Sequence, residues 1–245
     1  MSPYKRFLRG VIHCHSKYSY DSMTDISSYL KAAKKSELDF VILTDHDNVE
    51  GARRLRAEAA RTMPALEVPL AAEYLTDQGD VIAAFLTEEV RSRSFPQFVE
   101  EARRREALLF LPHPYVGHKA PEEIGPQCDL IEVFNCRTSE SKNARAADLA
   151  KRLDKRAFAG SDAHFAWSIS SAVVEVENLG SLRTSMLNGE IKWASPRQTH
   201  RSEYGASQLI KAWKRRDARL AARLMRSGFA RILRRKPSEV NSRTI

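Results

Sequence analysis

The chain has 245 residues and a formal net charge of +9. Because 42% of the residues are apolar, a chain of this length can bury a full core, and we expect one catalytic domain. No stretch approaches the ~20 consecutive apolar residues of a membrane-spanning helix, and residues 1–12 lack the apolar segment of a secretory signal. Three cysteines are few and odd in number, which argues against a disulfide framework and favours a reducing, cytoplasmic location.

Short apolar runs rich in Val, Ile, Leu and Phe alternate with polar stretches of helical period. This pattern predicts an α/β protein built from repeated strand and helix units around a parallel sheet. We expect the run at 79–86 to pair with the run at 68–76 across the TDQGD turn. The predicted strands lie at 8–15, 38–46, 68–76, 79–86, 107–114, 129–135, 156–164 and 172–177. The predicted helices lie at 25–37, 48–63, 95–105 and 141–153.

Polar residues follow the apolar run in most of these strands, as in GVIHCH, VILTDH, LLFLPH and AFAGSDAH. In an α/β barrel the reactive groups collect at the carboxyl ends of the strands, so the pattern favours a barrel. An open sheet with a crevice at its strand ends is the alternative. Because the polar groups come from six separate segments, we prefer a closed ring in which distant strands face one centre.

Five histidines and three carboxylates are predicted to build one metal centre. In HCH and DAH the first and third side chains lie on one face of a strand, while Cys14 and Ala163 point away. Imidazole and carboxylate together suit Zn, Mn or Fe, and this many ligands would hold more than one ion. Metal-dependent hydrolysis is therefore the leading hypothesis. The predicted ligands are His13, His15, Asp21, His46, Glu73, His113, Asp162 and His164.

These motifs resemble those of the PHP family, the polymerase and histidinol phosphatase domain. HCHSKYSYD is similar to the first family motif, ILTDHDNVEG to the second, LPHP to the third and GSDAH to the fourth, all within residues 8–176. Within the family the chain resembles a group of small stand-alone bacterial members. The resemblance implies a distorted (β/α)7 TIM-like barrel that hydrolyses phosphate esters with two or three divalent ions.

The resemblance also implies how the ligands divide among the ions. One ion would be held by His13, His15, Glu73 and Asp162. A second would share Glu73 with His113, and a third would be held by Asp21, His46 and His164. Many members carry a further histidine in the strand after the bridging glutamate. This chain has Val81-Ile82-Ala83-Ala84 there, so the second ion would lose a ligand or the centre would be dinuclear.

Catalytic and substrate-binding roles are assigned around the predicted centre. His113, Asp162 and His164 are the catalytic candidates. Arg137, Asn135 and His118 are the substrate-binding candidates, because Arg137 can grip a phosphate bidentately and His118 can donate a proton to the leaving group. A salt bridge within the loop is the alternative for Arg137, and a role as an ordinary solvated residue is the alternative for His118. Since Glu132 and Asn135 are three residues apart on one strand, we expect at most one of them to point inward.

The surplus positive charge lies at the end of the chain. Residues 201–245 carry 13 Lys and Arg against 3 Asp and Glu, whereas residues 1–200 carry 27 against 28. We therefore divide the chain into a hydrolase domain at 1–204 and a basic amphipathic helical tail at 205–245, partly disordered. The tail's apolar side would carry Leu209, Trp213, Leu220 and Leu224, and Gly228 would interrupt it. We give packing of this apolar side on the domain the same weight as all binding roles of the tail together, namely binding of nucleic acid, membrane or protein.

Three hypotheses describe the whole protein. The first is a phosphatase or phosphodiesterase in which a metal-bound hydroxide attacks the phosphorus of a small phosphate ester. The second is a nuclease whose basic tail contacts the nucleic-acid backbone, with binding that falls steeply with salt. The third is a non-catalytic member with an eroded metal centre, which the eight retained ligands oppose.

Overall fold

The computed structural model describes residues 6–233 of the chain. Strands and helices alternate through most of its first two thirds, with one pair of consecutive strands. The strands are β1 (Phe7–Ile12), β2 (Phe40–Ile42), β3 (Ala71–Thr76), β4 (Gly79–Ala84), β5 (Leu108–Leu111), β6 (Leu130–Asn135), β7 (Arg156–Gly160), β8 (Val174–Glu177) and β9 (Ile191–Trp193). The helices are α1 (Ile26–Ser36), α2 (Glu50–Thr62), α3 (Phe95–Arg104), α4 (Pro121–Ile124), α5 (Glu140–Arg152), α6 (Leu182–Asn188), α7 (Arg201–Lys214) and α8 (Ala218–Leu233).

The α/β class and the order of the predicted elements are confirmed. Every predicted strand and helix has a counterpart that overlaps it, and the predicted pairing of 68–76 with 79–86 is the antiparallel β3–β4 hairpin. The sequence prediction missed α4, α6 and β9, which have four, seven and three residues. Elements this short carry too few residues to display a hydrophobic period.

The strands form two sheets, with the order β2-β1-β8-β9 in one and β3-β4-β5-β6-β7 in the other. The pairs β1–β2, β5–β6 and β6–β7 are parallel. The pairs β1–β8, β3–β4, β4–β5 and β8–β9 are antiparallel. The expected closed (β/α)7 barrel is therefore not found among the described strands. A reason is visible at β3–β4, because its two-residue turn leaves no room for the helix that parallel neighbours require.

Backbone hydrogen bonds connect the two sheets at both seams. At one seam Ser161 N donates to Ile12 O (3.1 Å) and His15 N donates to Ala163 O (2.8 Å). At the other, Val41 N donates to Glu67 O (3.0 Å), and an isolated bridge joins His46 to Glu73. These contacts draw the ends of β1, β2, β3 and β7 to one side of the molecule, where the polar motifs follow.

Apolar side chains fill the space between the two sheets. One buried cluster lies inside, and its members include Ile12, Ile42, Ile82, Phe110 and Phe158. A second buried cluster lies between the sheets and the helices, and it contains Cys14, as expected for a side chain that faces away from the histidines. The inner cluster forms an apolar floor beneath the polar ends of the strands.

The two C-terminal helices break at a different place from the one expected. Residue 228 lies within α8, so the prediction that Gly228 interrupts the helix is wrong. The break falls at 215–217, where Arg216 has a φ of 52° and Asp217 Oδ1 accepts a hydrogen bond from Leu220 N (2.9 Å). A side-chain oxygen that accepts a hydrogen bond from one of the first free N–H groups of a helix stabilises the start of that helix.

The packing face of the tail also differs from the predicted apolar side. Leu220 is buried, but Leu209 and Trp213 are 52% and 69% exposed. Ala212 and Ser207 provide the buried contacts of α7 instead. The division at 204 stays a prediction, and that position falls inside α7. None of the helices within residues 6–233 is both long and apolar enough to cross a membrane.

The Glu101 carboxylate fixes the segment that leads into α3. It accepts hydrogen bonds from Arg91 N (3.1 Å) and Ser92 N (2.8 Å) and pairs with Arg105 at 2.9 Å. Burial disfavours its charge, but the backbone N–H groups and Arg105 outweigh this effect and lower the pKa of Glu101 to about 2. Because the folded-state pKa is depressed, this stabilisation is present at neutral pH and disappears as the pH falls from about 5 towards 2.

We predict that Glu101→Gln lowers the free energy of unfolding by about 1–2 kcal/mol at pH 7, since a charged acceptor of two backbone N–H groups is lost. The difference from the wild type should shrink at pH 3, and urea unfolding at both pH values measures it. Glu100→Gln, on the exposed side of the same helix, is the matched control. An equal deficit at pH 3 and pH 7 would contradict the electrostatic explanation.

Candidate metal centre

The eight predicted ligands converge above the inner apolar cluster, and their ligand atoms form overlapping groups. Within each group all ligand atoms lie within 4.8 Å of one another. Three groups contain predicted ligands only: His15 with Asp21, His46 and His164; His13 with His113 and Asp162; and His13 with His15 and Glu73. A fourth group joins Glu73 and His113 to Asp80, which the sequence analysis did not single out. The overlap shows one extended centre, not separate clusters.

Four atoms in the middle of the centre have the spacing of a four-coordinate site. His13 Nε2 lies 3.4 Å from Glu73 Oε2 and 3.7 Å from Asp162 Oδ1. His15 Nε2 lies 3.4 Å and 3.5 Å from the same two oxygens. Ligands at about 2.1 Å from one tetrahedral ion are about 3.4 Å apart. This set is the one implied for the first ion.

Asp21 joins two further imidazoles at the other side of the centre. Its Oδ2 lies 2.9 Å from His164 Nε2 and 3.3 Å from His46 Nε2. His46 Nδ1 lies 3.3 Å from Glu73 Oε2, so Glu73 connects this side to the middle of the centre. His113 Nε2 lies 3.0 Å from Glu73 Oε1, the second oxygen of the same carboxylate. Glu73 therefore contacts all parts of the centre.

Unsatisfied polar atoms provide a test of whether these residues fit metal ions. Seven buried side-chain nitrogens and oxygens among the described residues lack a hydrogen-bond partner, and five of them belong to this centre. They are His13 Nε2, His15 Nε2, Asp21 Oδ1, Glu73 Oε2 and His113 Nδ1. A buried polar atom without a partner costs about 1–3 kcal/mol. Divalent cations would satisfy these lone pairs, so the residues present fit the ions that the sequence predicts.

The ionisation of the centre follows from burial and mutual pairing. Burial opposes the charge of Glu73, but His13 and His46 outweigh it and hold the pKa of Glu73 well below its ordinary value. Burial, together with the charges of His164 and His46, lowers the pKa of His15 to about 3. An ionised carboxylate and a neutral imidazole are the forms that bind metal.

Glu132 orients His13, a role that the sequence analysis missed. Its Oε1 lies 2.8 Å from His13 Nδ1, and its Oε2 accepts hydrogen bonds from His113 N (2.6 Å) and Asn135 Nδ2 (3.0 Å). The prediction that at most one of Glu132 and Asn135 points inward is wrong. A β-bulge between Glu132 and Phe134 breaks the alternation of β6, so both side chains reach the centre.

Asn135 is a positioning residue for the centre in this structure. Its Nδ2 donates to Asp162 Oδ2 (3.2 Å) as well as to Glu132, and its Oδ1 accepts a hydrogen bond from Arg137 N (2.9 Å). The side chain is fully buried. These contacts fix the carboxylate of Asp162, and a direct contact of Asn135 with substrate stays a prediction.

Arg137 points into the centre and is held from behind. Its Nη1 lies 3.4 Å from Asp162 Oδ1 and 2.7 Å from His164 Nδ1, while its Nη2 donates to Ser207 Oγ (2.7 Å). The ring of Tyr204 lies 5.2 Å from the guanidinium carbon. A cation held this close to the ligands is suited to contact an anionic substrate.

His118 lies at the rim of the centre, and each of its ring nitrogens lies close to a backbone carbonyl oxygen. Its Nε2 lies 2.7 Å from Asp80 O and its Nδ1 lies 3.0 Å from Val116 O. The ring therefore ties the loop after β5 to the start of β4. Burial and the neighbouring charge of His113 lower the pKa of His118 to about 4. Its proposed role as a proton donor stays a prediction.

Helix α7 is attached to the loop that carries His15 and Asp21. Lys214 Nζ donates to the carbonyl oxygens of Lys17, Ser19 and Ser22, each at 2.7 Å. The Lys214 ammonium group thus satisfies three carbonyl oxygens of the loop that carries the predicted ligands His15 and Asp21. The basic C-terminal region is in this part a structural component of the centre.

We predict that Gly160→Ala weakens metal binding without unfolding the protein. A Cβ at residue 160 would overlap Glu132 Oε1, so Glu132 would move away from His13. Loss of an orienting carboxylate lowers metal affinity by about 10- to 100-fold. Equilibrium dialysis against Mn(II) measures the change, and Gly205→Ala, whose added Cβ meets no atom within 4 Å, is the control. Equal affinities of the two variants would contradict the role of Glu132.

We also predict that Lys214→Met lowers the free energy of unfolding by about 1–2 kcal/mol, because three carbonyls lose a charged donor. Urea unfolding of the metal-free protein measures the change. Lys142→Met removes an exposed lysine of α5 and is the control. If both variants unfold like the wild type, α7 does not stabilise the loop.

Comparisons with known proteins agree with this centre. A model of the PHP domain matches residues 12–120, and a model described as PHP-associated matches residues 140–187. Uncharacterized protein MJ1587 of Methanocaldococcus jannaschii is 27% identical over 172 residues, which cover 62% of this chain and 96% of MJ1587. The two family models together contain all eight predicted ligands. The PHP model includes His13, His15, Asp21, His46, Glu73 and His113, and the PHP-associated model includes Asp162 and His164.

Two solved structures share the fold at low sequence identity. A two-domain protein of Bacteroides vulgatus, which contains a predicted PHP-like metal-dependent phosphoesterase, has a TM-score of 0.63 and 18% identity. The match covers 77% of this chain and 64% of that chain, less than two thirds of its length. PsfC of Pseudomonas syringae has a TM-score of 0.61 and 15% identity, over 86% of this chain and 99% of that one. With both family models matched in order and the motif histidines brought together, the chain contains a PHP domain at residues 12–120, followed by a PHP-associated region at residues 140–187.

Proposed function

We propose that the protein is a metal-dependent phosphoesterase that hydrolyses a small phosphate ester by attack of an activated water on phosphorus. The observation that carries the proposal is the convergence of five imidazoles and three carboxylates in one buried centre, with five of their atoms lacking any other partner. The match of residues 12–120 to the PHP domain supports the same reaction class. Two or three ions of Zn, Mn or Fe suit this mixture of nitrogen and oxygen ligands.

Bound divalent ions would lower the pKa of a water to about 7 and neutralise charge on the phosphoryl oxygens. The chain's own residues prepare the site for an anion. Arg137 presents a guanidinium beside Asp162, and its contact with Ser207 restricts its orientation. A guanidinium can donate two parallel hydrogen bonds to a phosphate, which fixes the ester relative to the ligands.

Further cations lie at the rim of the centre. Tyr20 stacks on the ligand His46 at 4.4 Å between ring centroids. Lys211 Nζ and the Arg215 guanidinium carbon lie 4.8 Å and 3.8 Å from the centroid of the Tyr20 ring. These groups place positive charge beside the approach to the ligands, and they support an anionic substrate.

The two alternative functions have different support. The same rim cations suit a nucleic-acid backbone, so a nuclease remains the second candidate, and residues 234–245 of the basic tail lie outside the described part. Convergence of all eight predicted ligands argues against an eroded, non-catalytic centre. Membership of the small stand-alone group, contact of the tail with an anionic surface and a cytoplasmic location stay predictions.

We predict that His13→Ala and Asp162→Asn each reduce bound metal and lower phosphoesterase activity by more than about 100-fold. Loss of a direct ligand should exceed the roughly 10- to 100-fold effect of losing a residue that only orients a ligand. Metal content is measured by mass spectrometry after reconstitution with Mn or Zn. Activity is measured on a panel of nucleotides, sugar phosphates, histidinol phosphate and short oligonucleotides. Cleavage of oligonucleotides alone, with strong salt dependence, would favour the nuclease.

His200→Ala is the matched control, because His200 is exposed and lies outside the centre. It should keep both metal and activity. Full activity of a folded His13→Ala protein that contains no metal would refute the proposed function.

A further inference from the structure

The start of β4 lies at the metal centre because β4 runs antiparallel to its neighbours. In the β3–β4 pairing Glu73 is opposite Ile82 and Leu75 is opposite Asp80. Opposed residues share a face of the sheet, and alternate residues of a strand share it too. Ile82 and Ala84 belong to the inner apolar cluster, so Asp80 lies on the same inner face, nearest to the ligands.

The Asp80 carboxylate meets two ligands that otherwise lack a full set of partners. One of its oxygens, an oxygen of Glu73 and a nitrogen of His113 all lie within 4.8 Å of one another. No hydrogen bond or ion pair joins the Asp80 carboxylate to another described residue. Glu73 is 1% exposed and its Oε2 is unsatisfied, as is the buried Nδ1 of His113. Three groups of metal-ligand type thus face one another, and two of them carry an unsatisfied atom.

The charge balance at this place favours a cation. The carboxylates of Asp80 and Glu73 are neighbours, since an oxygen of each lies within 4.8 Å of the other. Two neighbouring buried carboxylates repel each other unless a cation lies between them. A divalent ion would remove this repulsion and would also provide a partner for the unsatisfied atoms.

We propose that Asp80 is a ligand of the second ion, together with Glu73 and His113, in place of the histidine that many members of the family carry later in this strand. The inference rests on the proposed function, because it assumes that the centre binds divalent ions. The second site then has two carboxylates and one imidazole. Carboxylate oxygen suits Mn better than imidazole does, so this ligand set shifts the second site towards Mn relative to Zn.

The experiment uses the full chain, stripped of metal with a chelator and titrated with Mn(II) or Zn(II) in equilibrium dialysis. We expect Asp80→Ala to lose one ion per chain, or to weaken its binding by at least about 10-fold, while the remaining ions bind as in the wild type. Asp80→His should bind the same number of ions as the wild type with its preference shifted towards Zn. Asp148→Ala, which removes an exposed carboxylate of α5, should bind metal like the wild type.

Circular dichroism and thermal unfolding of the metal-free proteins establish that each variant folds. If Asp80→Ala does not fold, Asp80→Asn tests the same ligand with nearly the same side-chain shape. If the wild type binds fewer than two ions, both the inference and the proposed dinuclear or trinuclear centre fail. If the wild type binds them and Asp80→Ala retains every ion with unchanged affinity, the ligand role is overturned while the proposed function stands. Loss of turnover with unchanged metal content would overturn it as well, because it would assign Asp80 to the substrate.

Discussion

The removal of carboxylates and imidazoles from water is the constraint on which the rest of the structure depends. Glu73 is 1% exposed, and its Oε2 lies within 3.4 Å of nitrogens from His13, His15 and His46. A buried carboxylate is costly unless its charge is compensated. An imidazole nitrogen can donate a hydrogen bond to that carboxylate only when it carries a hydrogen, and a nitrogen that carries a hydrogen cannot bind a metal. The same atoms therefore pair with one another in one state and with cations in another, and the surrounding protein must hold them together in both.

Both the backbone conformation and the side-chain contacts keep the predicted ligands together. His13, His113 and Asp162 have φ values of 62°, 27° and 44°, a region that residues other than glycine rarely adopt and that costs about 1–3 kcal/mol each. Each of them follows the end of a strand, at β1, β5 and β7. Glu132 stabilises two of these positions at once, because it binds the His13 ring and the His113 N–H. A single carboxylate thus keeps two ligands in place, and Gly160 provides the space that it needs.

The ligands could be predicted from the sequence, whereas the arrangement of the strands could not. HCH and DAH reveal ligands because alternation and strand ends are local properties. The bulge after Glu132 is not local, since it depends on how β6 pairs with β7, and it invalidated the argument from a three-residue spacing. Asp80 was missed for a related reason. The sequence pattern suggested pairing across the turn, but polar groups were sought at the carboxyl end of β4, and an antiparallel strand brings its amino end to the site.

The basic C-terminal region shows why net charge alone did not reveal its role. Its lysines and arginines were expected on a solvated or partner-binding face, yet Lys214 is bound to three carbonyls beside the ligands and Ser207 is fully buried against Arg137. Helix α7 therefore connects the loop after β1 to the arginine that faces the centre. Because Arg137 also lies 3.4 Å from Asp162, a displacement of α7 would alter the charge next to a ligand. The electrostatics of the centre therefore depend on the packing of the basic helix, and the region that sequence composition separates from the predicted hydrolase domain is physically part of the centre.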